Sequence, residues 1–192
     1  DTSIFLRLDN KIQQELRNKY FPEKDGKFIC CAVGSYSPVK NHQLIIDAMS
    51  LLKSKGLLDR FFFVVYGDKH CVNTVYPRLM ELTKSIGLKN QIELNTETNE
   101  INQILNSIDV LIHPSLSEGM PNVVIEALLC GTPVIISKDG NCSGLIKSGF
   151  NGLVFDTDSP TEFAECLLKM KKKTIKVNDT YRNDFKRNYS ID

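Results

Sequence analysis

The sequence carries almost no net charge. Its 24 Lys and Arg nearly cancel 23 Asp and Glu, leaving +1, and this removes the electrostatic drive that a general nucleic-acid binder needs. Long apolar runs are missing too: the longest, such as Phe61 to Tyr66, fall far below the roughly 18 residues that a spanning helix requires. No charged-then-apolar leader opens the chain, so secretion and membrane spanning are set aside. Because it opens on Asp1 rather than Met, the chain is read as a mature product or an excised piece. The six cysteines (Cys30, Cys31, Cys71, Cys130, Cys142 and Cys166) include no C-x-x-C pair. Several lie inside apolar segments, where a thiol behaves as a small hydrophobe, and a reducing cytoplasm is the expected setting. His70 stands beside Cys71, but the three histidines are far apart and no second pair has zinc spacing, so no metal site is expected. No repeat, low-complexity tract or Gly/Ser linker divides the 192 residues, which are enough to bury about 70% of the unfolded surface in one core.

What is present is an alternation of short apolar runs and helical patterns. Phe28 to Val33 ends at Gly34, and from Asn41 the apolar positions Leu44, Ile45, Ala48, Met49, Leu51 and Leu52 follow a helical period. The unit recurs as Phe61–Tyr66 before a helix near Pro77–Ile86, Ile92–Leu94 before Ile101–Ser107, and Val110–His113 before Pro121–Cys130. Further strands are expected at Val134–Ser137 and Leu153–Phe155, with a last helix from about Thr161. Continuous apolar strands separated by helices predict a doubly wound α/β domain, its parallel sheet of about six strands covered on both faces. That domain is placed at residues 28–173. Residues 1–27, polar with scattered apolar positions, form an N-terminal segment. Residues 174–192 form a basic helical tail, Lys169 to Arg187 carrying eight basic residues against Asp179 and Asp184. A solvated helix is the simpler reading of that tail, and contact with an anionic surface or a partner domain the alternative.

Ligands of parallel α/β sheets bind beyond the carboxyl ends of the strands. The first such loop, GSYSPVKN, has a single glycine, which removes the Walker and dinucleotide-fingerprint readings. It offers Lys40 at a helix start, either to neutralise a bound phosphate or merely as a surface lysine. The segment HPSLSEGMPNVVIEALLCGTP, residues 113–133, carries more. A strand end leads through a tight loop into a helix with Pro121 near its first position and Gly131 past its end. The N–H groups of Asn122 and Val123 at such a start lack intrahelical acceptors and suit a phosphate. Glu118 precedes the helix and Glu126 lies one turn after Asn122 on its face. Carboxylates suit vicinal diols, so diol, phosphate and diol in sequence describe a nucleotide sugar. The plainer alternative is a surface Glu118 and a Glu126 that only favours the helix dipole. A glycosidase pair of acid and base is the other rival, but a helix start between the two glutamates would offer its N–H groups to a neutral sugar.

These residues resemble the retaining glycosyltransferases of group 1, whose GT-B architecture faces two Rossmann-like domains across a cleft. The likeness is carried by DTSIF at the start, VGSYSPVKNH at 33–42, VVYGD at 64–68, SEGMPNVVIEALLCGTPVI at 117–135 and NGLVF at 151–155. The resemblance implies a Rossmann-like donor-binding C-terminal half, with the N-terminal acceptor-binding half absent before Asp1 and this piece inactive alone. It implies a nucleotide-diphosphate sugar as donor, a glycan or lipid-linked acceptor, no cofactor or metal, and a cytoplasmic enzyme with peripheral membrane contact. Lys40 would bind the diphosphate and Glu118 the sugar, as the two catalytic candidates. Asn122 and Val123 would hold the phosphates through their backbone, Glu126 would take the ribose, Thr96 and Glu97 would lie beside the base, and Gly34, Gly119, Met120 and Pro121 would complete the substrate-binding residues. The sequence departs from the family in two places. Ser35 stands where members commonly have an Arg that a hydroxyl cannot replace, so either Lys40 and the helix start suffice, another cation such as Lys69 or Lys138 helps, or donor handling is weakened; Gly144 stands where many have Glu. The family's catalytic histidine belongs to the other half, and His113 is read as a packed, hydrogen-bonded histidine at a strand end. A nucleotide-binding module without transfer activity and a sugar-nucleotide epimerase or hydrolase remain as rivals.

Overall fold

A computed structural model describes residues 4–71, 74–172, 175 and 177. Six parallel strands form one sheet: β1 (Phe28–Val33), β2 (Phe61–Tyr66), β3 (Ile92–Asn95), β4 (Val110–His113), β5 (Val134–Ser137) and β6 (Gly152–Phe155). Their spatial order is β3-β2-β1-β4-β5-β6. Parallel pairing throughout requires a crossover between successive strands. α-Helices supply four of the five, α2 (His42–Ser54), α3 (Val75–Ser85), α4 (Ile101–Leu105) and α5 (Asn122–Leu129); β5 and β6 are joined by a loop with a short helical turn at Asp139–Asn141, and α6 (Pro160–Lys172) follows β6. The order reverses between β1 and β4, and that switch point is where such sheets open a crevice.

The strands look continuously apolar because both faces are buried. Cys30, Ala32, Phe61, Phe63 and Ile112 pack against Ile45, Met49, Phe163 and Leu167 on one side. Ile29, Cys31, Phe62 and Val64 pack with Ile104 on the other, where Leu111, Val134 and Ile136 meet Val124 and Leu128. The expected β1, β2, β4 and β5 coincide with the observed ones, and most other ends shift by one or two residues.

One further helix, α1 (Asn10–Tyr20), lies in the segment expected to be merely polar. It buries no residue fully, which explains its weak apolar signal. Its start is legible in Asp9, whose carboxylate caps the N–H groups of Lys11 (3.0 Å) and Ile12 (2.9 Å). Arg17 fastens it to the sheet, donating to Asp109 Oδ2 (2.9 Å) and the Lys27 carbonyl (2.8 Å), while Asp109 also accepts from the β1 N–H of Ile29 (2.7 Å). The basic tail lies outside the described residues except for Ile175 and Val177.

Two loops cross so closely at the carboxyl end of the sheet that a side chain would not fit. A Cβ on Gly67, directly after β2, would run into the Gly34 carbonyl that follows β1. Around Gly119 a Cβ would meet nothing within 4 Å. Gly67→Ala is expected to destabilise the fold by about 2 kcal/mol or more, since backbone must shift. Gly119→Ala serves as the near-neutral control in urea denaturation, and equal midpoints would contradict the crossing.

Candidate active site

The loop after β1 runs through Gly34 and a short turn, Pro38–Lys40, before α2. Its Val39 carbonyl accepts from the N–H of Leu116 in the loop after β4 (2.8 Å). That junction brings Lys40 to Glu118, with Nζ 2.5 Å from Oε1 and the side chains only 24% and 15% exposed. Ser115 lies below: its hydroxyl is 2.9 Å from Glu118 Oε1, 2.9 Å from the Val39 carbonyl and 3.2 Å from the Ser117 carbonyl. One hydroxyl proton serves one of these acceptors at a time. Ser137 at the end of β5 donates to the Ser115 carbonyl (2.5 Å) and accepts from the Gly140 N–H (3.1 Å), bracing the loop from beneath.

His113, the last residue of β4, is buried as expected, with Nε2 3.3 Å from the same Glu118 oxygen. It makes no aligned hydrogen bond through Nε2, so the expected hydrogen-bonded histidine is packed but unsatisfied at that atom. The edge of the His113 imidazole facing Oε1 at 3.3 Å, close but not aligned as a full hydrogen bond, is the largest influence on Glu118. Lys40 and Ser115 act in the same direction, and together they hold the carboxyl down to about 2 against the opposing effect of burial.

Helix α5 begins at Asn122, with Pro121 as its cap residue rather than its first helical position. No side chain caps it and its first turn holds no acid. The Asn122 and Val123 N–H groups therefore stand open at the positive end of the dipole. Gly119 and Met120 are exposed beside them, Met120 by 53%. Glu126 is half-buried one turn on, with no hydrogen bond or ion pair among the described residues, and burial pushes its carboxyl up. Glu97 lines a cavity of about 270 Å³ with Gly34, Ser35, Gly67 and Thr98, while Thr96 is exposed on the same loop outside that lining. Ser35 donates to Ser37 Oγ (3.3 Å). Lys69 sits over the Tyr76 ring (5.8 Å) and Lys138 is exposed after β5, so neither substitute cation joins Lys40 among the described contacts. Among the described residues no three His, Cys, Asp or Glu gather as a metal centre.

Two supporting residues escaped the sequence reading because nothing marks them locally. Tyr36 is fully buried and its hydroxyl donates to the carbonyl of Asn95 (2.9 Å) or Val65 (3.2 Å), tying the first loop to β2 and β3. His42 faces the Gly34 and Ser35 carbonyls through Nε2 (3.3 and 3.2 Å). Burial lowers its pKa from 6.5 to about 4, with His113 and Lys40 adding to the effect and the two carbonyls opposing it. Between those values the unfolded chain binds a proton that the folded chain refuses. Stability is therefore complete above pH 6.5 and falls as the pH drops towards 4, by roughly 3 kcal/mol in all. His42→Gln, which keeps a donor but cannot titrate, is expected to flatten that slope in urea denaturation between pH 7 and 4.5; an unchanged slope would contradict a buried neutral His42.

Residues 13–188 match the family described as glycosyl transferases group 1. Among curated proteins, the UDP-Gal:alpha-D-GlcNAc-diphosphoundecaprenol alpha-1,3-galactosyltransferase of Escherichia coli is 28% identical over 156 residues, 81% of this chain and 40% of that protein. A D-inositol 3-phosphate glycosyltransferase of Salinispora tropica is 26% identical over 83% of this chain and 34% of its own length. The chain thus spans well under half the length of these relatives. Among solved structures, Anabaena HepE in complex with UDP and glucose superposes with a TM-score of 0.83 at 20% identity, covering 97% of this chain and 50% of that one. The C-terminal domain of the group 1 glycosyl transferase LpcC from Francisella tularensis gives 0.77 at 24% identity, covering 98% and 97%. With the match running along nearly its whole length and the fold filling one half of its two-domain neighbours, the chain belongs to the group 1 glycosyl transferases, as one Rossmann-like half of a GT-B fold.

Proposed function

We propose that this chain is the donor-binding half of a retaining transferase. It would hold a UDP-linked hexose for transfer to a glycan or lipid-linked acceptor carried by the other half. The observation that carries the reading is the Lys40–Glu118 pair at the switch point of the sheet, beside the uncapped start of α5. The uridine diphosphate is taken from the Anabaena neighbours with bound UDP and UDP-glucose and from the UDP-Gal transferase of Escherichia coli. On this reading Lys40 moves from Glu118 to the diphosphate, Asn122 and Val123 donate backbone N–H groups to it, and Glu126 accepts the ribose hydroxyls. Glu118 keeps Oε2 for a sugar hydroxyl. As the glycosidic bond to phosphate breaks, negative charge grows on the leaving UDP, where one cation and a preoriented helix start stabilise it. The acceptor's base and its binding surface belong to the other half, so this chain alone binds donor and transfers little.

A nucleotide-binding module without transfer is the second reading, favoured by Ser35, with Lys40 the one Lys or Arg that reaches Glu118 among the described residues. Joining the chain to its other half and assaying transfer separates the two. For the donor site itself, UDP is expected to raise the thermal midpoint more than GDP, ADP or CMP. A ligand at one hundred times its Kd adds about 2.7 kcal/mol. Lys40→Ala is expected to weaken UDP binding by about 10- to 100-fold, as loss of a charge-assisted contact does, and Glu126→Ala by about tenfold. Unchanged titration curves for both variants would remove the site assignment.

A further inference from the structure

Three groups crowd one oxygen of Glu118 while the other has no partner among the described residues. Lys40 Nζ lies at 2.5 Å from Oε1, Ser115 Oγ at 2.9 Å and His113 Nε2 at 3.3 Å. A carboxylate oxygen offers about two lone-pair sites. Lys40 fills one. Ser115 fills the other only when its single proton is not spent on Val39 or Ser117. His113 is left over: its side chain is 3% exposed, and its Nε2 is buried without a partner. Facing a carboxylate, Nε2 is the protonated nitrogen, since a bare lone pair there would repel the oxygen.

This arrangement is fully satisfied in neither state. With Lys40 in place, His113 has nothing to donate to; with Lys40 withdrawn, Glu118 loses its closest donor and Ser115 alone cannot hold it. On the reading proposed above, an arriving diphosphate withdraws Lys40. We propose that His113 is a positioning residue for the donor sugar: it takes the place of Lys40 on Oε1 when diphosphate binds, so that Glu118 keeps its orientation and presents Oε2 to the sugar hydroxyls. The backbone supports such an exchange. His113 is fixed as the last residue of β4, paired with Ile136 of β5, while Glu118 lies five residues on in the loop that follows. No proton changes owner, since Nε2 keeps its hydrogen in both arrangements and only gains an acceptor.

The inference predicts a selective effect. Glu118 faces the sugar, so loss of the His113 donor should lower affinity for a UDP-sugar more than for UDP. Calorimetric titration with UDP, UDP-glucose and UDP-galactose would be run on the unaltered chain, His113→Leu, His113→Gln and Glu118→Gln, each first shown to melt cooperatively. For the better-bound sugar, His113→Leu is expected to reduce the ratio of UDP-sugar to UDP affinity by five- to twentyfold. His113→Gln, which keeps a donor, should recover it to within about twofold. In a Glu118→Gln background His113→Leu should change the ratio no further. In the unaltered chain, the Nε2–H proton resonance of His113 should move downfield on adding UDP, as the hydrogen bond forms. Equal loss for UDP and UDP-sugar, failure of glutamine to rescue, or the same penalty without the carboxylate would overturn the positioning role and leave the donor site standing. Absence of any nucleotide binding by the unaltered chain would overturn the donor site and this role with it. If both His113 variants failed to fold, the resonance shift alone decides, and no shift on saturation with UDP refutes the exchange.

Discussion

The hydrogen bond from the Leu116 N–H to the Val39 carbonyl (2.8 Å) joins the backbones of two loops that lie far apart in sequence. One follows β1 and carries the cation; the other follows β4 and carries the carboxylate. Loops on the open edge of a sheet are ordinarily its most mobile parts, and two long side chains meeting across such a gap would spend much of their attraction on lost rotamer freedom. Here the backbones are fastened first. Tyr36 anchors the first loop to the sheet beneath, and Ser137 props the second. Lys40 and Glu118 then need fix little more than their side chains, which is the preorganisation an electrostatic site requires.

The pair also sets the charge of the empty crevice. A free lysine there would attract any anion, and a free glutamate would repel the diphosphate that the proposed function requires. Held together they nearly cancel, and only a ligand that offers Lys40 a better anion, while leaving Glu118 a donor, separates them without stranding a buried charge. Inorganic phosphate satisfies half of that demand, whereas a phosphate bearing a hydroxylated sugar satisfies both. On the proposed reading, selectivity for the composite ligand would come from the cost of breaking the pair. Ser35 matters in this light: no second Lys or Arg meets Glu118 among the described contacts, so Lys40 and the start of α5 are the positive groups that the described residues bring there.

Much of this was legible from residues alone, for identifiable reasons. Strands buried on both faces read as unbroken apolar runs, so β1, β2, β4 and β5 were placed without error. Helix α1 was not, because it lies on the surface through polar contacts and shows no buried stripe; only Asp9 announced it. In the site, Lys40, Glu118 and Glu126 stood out because charged residues at strand ends and helix starts have a short list of uses. Their mutual arrangement did not, since contact between positions 40 and 118 depends on the β1 to β4 adjacency, which no local spacing encodes. His42 and Tyr36 were invisible for the same reason: each acts on backbone that is distant in sequence or hidden in a loop.

The two glutamates end in opposite states, and the difference bears on the hydrolase rival. Glu126 is raised by burial without a partner, while Glu118 is held down to about 2. Carboxyls pushed apart in this way are the mark of an acid and base pair in many glycosidases. The cause of each shift argues otherwise here. A general base is efficient when its pKa approaches the working pH, and Glu118 is shifted the opposite way by the His113, Lys40 and Ser115 groups gathered around Oε1. Oε2 shares its charge with the oxygen that Lys40, Ser115 and His113 surround, so it too is a weakened nucleophile. Exchange of Lys40 for His113 would leave Oε1 covered, so Glu118 stays a weak base in either arrangement. What it retains is a hydrogen-bond acceptor of fixed direction, which serves to hold a sugar hydroxyl and does not require the carboxylate to react.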